Sequence, residues 1–97
     1  QPLLKRLMAM NKFDLLNKTA DVIKQRGEDY GSILDNHTRI AKLWSVLLGT
    51  DVTPEQVALC MIAVKQARLM ETPDHVDSVQ DILGYTLTYY ECANAKK

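Results

Sequence analysis

Two cations and three further titratable side chains flank one proline-containing turn in the last third of the chain. Lys65 and Arg68 precede this turn, and His75, Asp77 and Asp81 follow it. If the flanking segments form a helical hairpin, both groups face each other at the same end. The two carboxylates are four residues apart and share a helix face, which suits Mg²⁺, while the cations suit phosphate oxygens. The spacing predicts either a Mg²⁺ and phosphate site or a structural ion-pair cluster in which Asp77 is only a helix N-cap.

A second group of candidates lies between residues 27 and 39. Glu28 is one of two adjacent acids, and Tyr30 offers a ring that can stack on a nucleobase. Asn36 and Arg39 lie near the start of a predicted helix, where backbone N–H groups favour anions. The alternative is that the acids belong to a solvated turn and that the tyrosine packs on the core.

Length, charge balance and cysteine content limit the classes of protein to which this chain can belong. The 97 residues are enough for one domain, 1–97, with 12 basic and 12 acidic side chains. This balance gives no basic field for nucleic acid and does little to oppose homo-oligomer formation. No apolar stretch approaches the roughly 18 residues of a membrane span. The two cysteines form no CxxC motif, which favours a reducing cytoplasm, the host's if the protein is phage-encoded.

Hydrophobic periodicity predicts an all-α fold, a compact four-helix bundle with room for an extra N-terminal helix. The chain is predicted to begin with a helix or extension over 1–9 and a helix over 10–26 that Gly27 stops. A loop over 27–36 follows, and then a helix from Asp35 or Asn36 to Leu48. The last segments are a helix over 54–70, a helix from Asp74 or Asp77 to Ala93, and a frayed tail over 94–97.

The segment 54–70 is predicted to be the central rod of the bundle. Val57 to Val64 is an unbroken apolar run of eight residues, whereas a surface helix would interrupt such a run with polar residues. Thr53 is placed to cap the helix and Pro54 suits its first position. Cys60 lies inside the run and is predicted to be a core residue.

The same periodicity assigns buried faces to the other helices. The residues so assigned are Phe13, Leu16, Ala20 and Ile23 in the first long helix; Ile40, Leu43, Trp44, Leu47 and Leu48 in the second; and Val79, Ile82, Leu83, Thr86 and Tyr90 in the last.

Three motifs resemble a small uncharacterised family common in bacteriophage and prophage genomes. They are YG-x4-N-x2-RIA-x-LW-x3-LG, which begins at Tyr30, then TPE-x-VAL-x-M-x3-K-x-AR, which begins at Thr53, and H-x-DS-x2-DI-x-GY, which begins at His75. The resemblance covers roughly residues 27 to 90. It implies a phage protein but carries no established activity.

A weaker resemblance is to the MazG-like all-α nucleotide pyrophosphohydrolases, and it implies a MazG-like bundle that is usually oligomeric. That family uses Mg²⁺ bound by an acidic ExxE on one helix and ExxD on the next. Asp81 is similar to the last acid of ExxD. However, Ser78 stands where that motif has its Glu, and Lys65 and Arg68 stand on the helix that would carry the other acids.

These observations lead to three hypotheses. The first is a Mg²⁺-dependent nucleoside triphosphate pyrophosphohydrolase, the second a non-catalytic binder or sponge for a nucleotide or nucleotide-derived ligand, and the third a protein-interaction module without a ligand. The residues predicted for the first two are the catalytic acids Asp77, Asp81 and Glu28, the metal ligands Asp77 and Asp81, and the ligand-binding residues Lys65, Arg68, Arg39, Asn36, His75 and Tyr30.

Overall fold

The computed structural model describes residues 10–30 and 32–95, and of residues 29 and 30 only the backbone. Within this part the chain forms four helices and no strand: α1 (Lys12–Tyr30), α2 (Ile33–Leu48), α3 (Pro54–Glu71) and α4 (Val76–Asn94). The all-α prediction is confirmed. The predicted helix over 1–9 lies outside the described residues. None of these helices has the length and apolar character needed to cross a membrane.

The boundary between α1 and α2 differs from the predicted loop. Gly27 does not stop α1, which continues to Tyr30, because Gly27 lacks the positive φ of a left-handed helix cap. A glycine inside a helix costs only about 1 kcal/mol relative to alanine. Ser32 is the N-cap of α2, and its Oγ accepts a hydrogen bond from the backbone N–H of Asp35 at 3.2 Å. The prediction that Asp35 or Asn36 caps this helix was therefore wrong.

The connection between α2 and α3 has well-defined caps at both ends. Gly49 ends α2 with φ +69°, in the left-handed region. Thr53 and Gln56 form the complete capping box at the start of α3, with reciprocal hydrogen bonds of 2.9 and 3.2 Å. Ser45 ties this connection to α2, because its Oγ accepts from the N–H of Val52 at 2.8 Å.

The central helix is α4, whereas the sequence predicted α3 as the rod. α4 packs most extensively against α3 and also contacts α1 and α2. The apolar run of α3 is buried on one side only. Val57 and Ala58 are fully buried, whereas Leu59 and Val64 are half exposed and Cys60 is exposed. The prediction of Cys60 as a core residue was wrong.

The core consists of small side chains that allow close helix packing. Within residues 10–28 and 32–95, the buried apolar residues are Ala41, Val57, Ala58, Val76 and Cys92, and the buried polar residues are Thr19, His37, Ser78 and Thr88. Several large residues predicted as buried are exposed instead: Phe13, Leu16, Leu43, Leu47, Leu48, Thr86 and Tyr90. The other residues of the predicted faces, including Trp44, are half-buried.

Candidate binding groove between α1 and α4

The best-defined charged contact is the ion pair that joins α3 to α4. Lys65 Nζ lies 3.1 Å from Asp81 Oδ2, and the two side chains are only 16% and 23% exposed. The hairpin prediction that these two groups meet at the same end is confirmed. Because both groups are partly withdrawn from water, their attraction is screened less than that of a surface pair.

The other members of the predicted cluster do not join this pair. His75 is the N-cap of α4, and its Nδ1 accepts a hydrogen bond from the backbone N–H of Ser78 at 3.2 Å. The alternative of Asp77 as the cap was therefore wrong. Asp77 lies exposed in the first turn of α4, and Arg68 is exposed near the end of α3. Neither side chain takes part in the ion pair between Lys65 and Asp81.

The described candidates from the segment 27–39 take no part in the ion pair. Glu28, Asn36 and Arg39 are exposed, and none of them lines the cavity described below. The side chain of Tyr30 falls outside the described part of the chain. Their roles in ligand binding stay predictions.

A cavity of about 50 Å³ lies between α1, the start of α2 and the middle of α4. It continues into a shallower depression of about 420 Å³ towards the end of α4, and the two share four lining residues. We call the combined space the α1–α4 groove. Its inner cavity is lined by Thr19, Val22, Ile23, Arg26, Ile33, Gln80, Asp81, Gly84, Tyr85 and Thr88.

The floor and walls of the groove are apolar. Gly84 has no side chain to fill the floor, and a Cβ there would lie 4.0 Å from the side chain of Ile23. The hydroxyl groups of Thr19 and Thr88 donate to carbonyls of their own helices, Leu15 O at 2.8 Å and Gly84 O at 3.1 Å. The hydroxyl hydrogens of these two threonines are therefore already engaged in hydrogen bonds within the protein.

Besides the two threonines, four polar side chains line the inner cavity. Asp81 lines the cavity and brings the ion pair with Lys65 to its edge. Gln80 and Tyr85 lie on the same helix, and Arg26 comes from the last turns of α1. Of these lining residues, sequence reasoning found only Asp81. For Gln80 and Tyr85 on α4, the available signal was the Gly84–Tyr85 pair within the third sequence motif.

Tyr85, which lines the inner cavity, contacts the buried His37. The ring centroids of Tyr85 and His37 are 6.3 Å apart at an interplanar angle of 60°. His37 is 4% exposed, and its Nδ1–H donates to the carbonyl of Ile33 at 3.0 Å. Because a carbonyl oxygen can only accept, the proton is on Nδ1. This contact links the start of α2 to the wall of the groove.

The predicted metal ligands Asp77 and Asp81 have no third ligating side chain grouped with them in the described residues, and their role in Mg²⁺ binding stays a prediction. In this part of the chain, no three His, Cys, Asp or Glu side chains form a group that could hold a metal ion. An oxygen of Asp81 is already engaged by Lys65. The inner cavity thus combines apolar walls with the polar side chains of Arg26, Gln80, Asp81 and Tyr85.

Comparison with known proteins identifies the family. A family model described as "Domain of unknown function (DUF6378)" matches residues 14–93. The "Gene 55 protein" of Mycobacterium phage L5 is 47% identical over 73 residues, which are 73% of this chain and 47% of that protein. The chain thus spans about half the length of this relative. No solved structure matches the chain. The expected small phage family is confirmed, and the chain belongs to the family described as "Domain of unknown function (DUF6378)".

Proposed function

We propose that this protein binds a nucleotide or nucleotide-derived ligand in the α1–α4 groove without hydrolysing it. The observation that carries the proposal is the groove itself, an apolar slot that ends in a carboxylate already neutralised by a lysine. The nucleobase occupies the slot, and the phosphates lie towards its mouth.

The walls of the groove suit a flat ring. Ile23 and Ile33 supply apolar surface, and Gly84 leaves the floor open. Ligand sites combine such apolar walls with a few polar groups that fix orientation. Here the carboxylate of Asp81 accepts from base N–H groups, and the amide of Gln80 both donates and accepts. These two residues read the edge of the base.

The mouth of the groove provides the cation for phosphate. Arg26 is exposed at the end of α1 and lines the cavity. Its guanidinium forms charge-assisted, often bidentate hydrogen bonds to phosphate oxygens. Lys65 has a different role in this proposal, because it holds Asp81 in place and cancels its charge next to an anionic ligand.

Binding is favoured over pyrophosphohydrolysis by the position of Ser78. This residue stands where the MazG-like motif has a catalytic Glu. It is fully buried, and its hydroxyl lies 2.8 Å from His75 Nδ1. The side chain is thus part of the cap of α4 and is removed from solvent and from Mg²⁺. The MazG-like hydrolase remains the alternative that the experiment must exclude.

The phage relationship suggests a role for binding without turnover. A phage protein that holds a nucleotide tightly lowers its free concentration in the infected host cell. The proposal therefore places the protein in the host cytoplasm as a binder or sponge.

The test is to mix the pure protein at near-stoichiometric ratio with nucleoside triphosphates and cyclic nucleotides in the presence of Mg²⁺. Bound and free fractions are then analysed by chromatography. We expect at least one nucleotide to be retained intact. New monophosphate would overturn the proposal in favour of hydrolysis, and the absence of any retained or cleaved nucleotide would exclude the groove as a nucleotide site.

Two matched variants locate the site. Arg26→Gln is expected to weaken binding of the retained nucleotide about 10-fold or more, because a charge-assisted hydrogen bond contributes about 1.5–3 kcal/mol. Arg68→Gln removes the same type of charge from an exposed position outside the groove and should leave the affinity unchanged. Equal effects of the two substitutions would show that only net charge matters.

A further inference from the structure

Between Leu59 and Ala67 the exposed face of α3 carries no charged residue and is mostly apolar. Leu59 and Val64 are 49% and 50% exposed, and Met70 is 85% exposed. Cys60, Ala63 and Ala67 are also exposed. We call these six residues the α3 stripe. They follow one side of the helix over most of its length.

Charged residues are nearly absent from this part of the helix. Between Glu55 and Arg68 the only charged residue of α3 is Lys65, and it turns inward to Asp81. Gln56 and Gln66 are exposed near the stripe, and the exposed Arg68 and Glu71 flank its Met70 end. A solvent-facing helix normally carries charges on its outer side, so this pattern is typical of a helix that is covered on both sides.

The spacing of the stripe indicates what covers it. Cys60, Ala63, Ala67 and Met70 are separated by three, four and three residues, which is the spacing of a helix–helix seam. This order is the same in both directions about Lys65. This order lets the same four residues form both halves of an antiparallel contact across a twofold axis, which is the kind of contact that a symmetric dimer uses.

We infer that the protein forms a homodimer in which the α3 helices of two copies pack antiparallel through the α3 stripe. In this arrangement Ala63 faces Ala67 of the second copy, and Cys60 faces its Met70. The two small residues at the centre let the helices approach closely, and the larger side chains fill the ends. This inference does not depend on the proposed nucleotide binding.

The size of the surface sets the expected strength of the dimer. The exposed side chains of the stripe offer on the order of 500 Å² per copy, and about 1,000 Å² in total is the lower end of specific interfaces. We therefore expect a dimer that dissociates at roughly micromolar concentration. Net charge near zero offers no long-range repulsion between copies.

The association test uses a pair of variants with opposite charges. Sedimentation equilibrium across a wide concentration range should show a monomer–dimer equilibrium for the wild type. Ala63→Glu and Ala67→Lys should each weaken the dimer by 100-fold or more, because each buries a charge without a partner. An equimolar mixture of the two variants should restore much of the affinity, since the new side chains face each other.

The matched control is Asn17→Glu, which adds the same charge at an exposed position on α1 and should leave dimerisation unchanged. A wild type that stays monomeric at every concentration would overturn the inference. So would a dimer that Ala63→Glu leaves intact, because the contact would then lie elsewhere on the surface.

The orientation is tested by oxidation. Met70→Cys, combined with the native Cys60, should yield a cross-linked dimer, because the two positions face each other and a disulfide requires Cα atoms within about 7 Å. The wild type should not cross-link through Cys60, which faces Met70 of the other copy. Efficient wild-type cross-linking through Cys60 would place the two Cys60 residues opposite each other and would overturn the proposed pairing of Cys60 with Met70.

Discussion

The two sides of α3 come from one continuous apolar run, yet they have different surroundings. On the inner side, Val57 and Ala58 are fully buried and Lys65 pairs with Asp81. On the outer side, half of the surface of Leu59 and most of that of Met70 are exposed. The difference shows that an unbroken apolar run predicts a buried helix without showing how many of its sides the rest of the chain covers.

The largest contrast is expected in the reactivity of the two cysteines. Cys60 is exposed on the outer side of α3, whereas Cys92 is 2% exposed in the core. Burial raises the pKa of the Cys92 thiol, and the carboxylates of Glu91 and Glu55 raise it further. Because the thiolate is the reactive form, we expect Cys60 in dilute native protein to react with a thiol reagent about 100-fold faster or more, since Cys92 must await an opening of the fold.

Labelling rates are measured separately in Cys60→Ser and Cys92→Ser variants. In denaturant the two cysteines should react at similar rates, which serves as the control. Similar rates in the native protein would mean that the inner side is not closed and would remove the distinction between the two sides. Slower labelling of Cys60 at high protein concentration is expected if the α3 stripe dimerises.

The second contrast uses the same truncation on both sides of α3. Val57→Ala should lower the free energy of unfolding by about 2 kcal/mol, because it removes fully buried methyl groups and leaves a cavity. Val64→Ala, at 50% exposure, should change it by less than about 0.5 kcal/mol in the monomer. Urea denaturation at low protein concentration measures both values. Equal losses would show that Val64 is as well packed as Val57.

Sequence reasoning succeeded where a local rule decides the structure. The cap at Thr53 and the end of α2 at Leu48 depend only on neighbouring residues, and both were predicted. The pairing of Lys65 with Asp81 followed from hairpin geometry. Such features are determined within a few residues or by a short connection.

Sequence reasoning failed where packing between helices determines the structure. Gly27 resembles a helix stop, but its modest helix penalty is outweighed and α1 continues. The central position of α4 was missed because α3 has the stronger apolar run, part of which lies on the outer side. Arg26 was not predicted as a groove residue, because only the crossing of α1 and α4 brings it into the lining of the same cavity as Asp81. Nothing in the local sequence encodes that crossing.

The smallest contrast is between the two cations of α3 that differ in surroundings. Lys65→Met should lower the free energy of unfolding by about 1 kcal/mol or somewhat more, because Asp81 then keeps a partly buried charge without its partner. Arg68→Met, at an exposed position, should have an effect within about 0.5 kcal/mol of zero. A double-mutant cycle of Lys65→Met with Asp81→Asn should give a coupling energy of about 1 kcal/mol. Because the pair is partly shielded from solvent, added salt should reduce this coupling only slightly. A coupling near zero would mean that Lys65 behaves as an outer-face cation and that the inner side of α3 is defined by its apolar contacts alone.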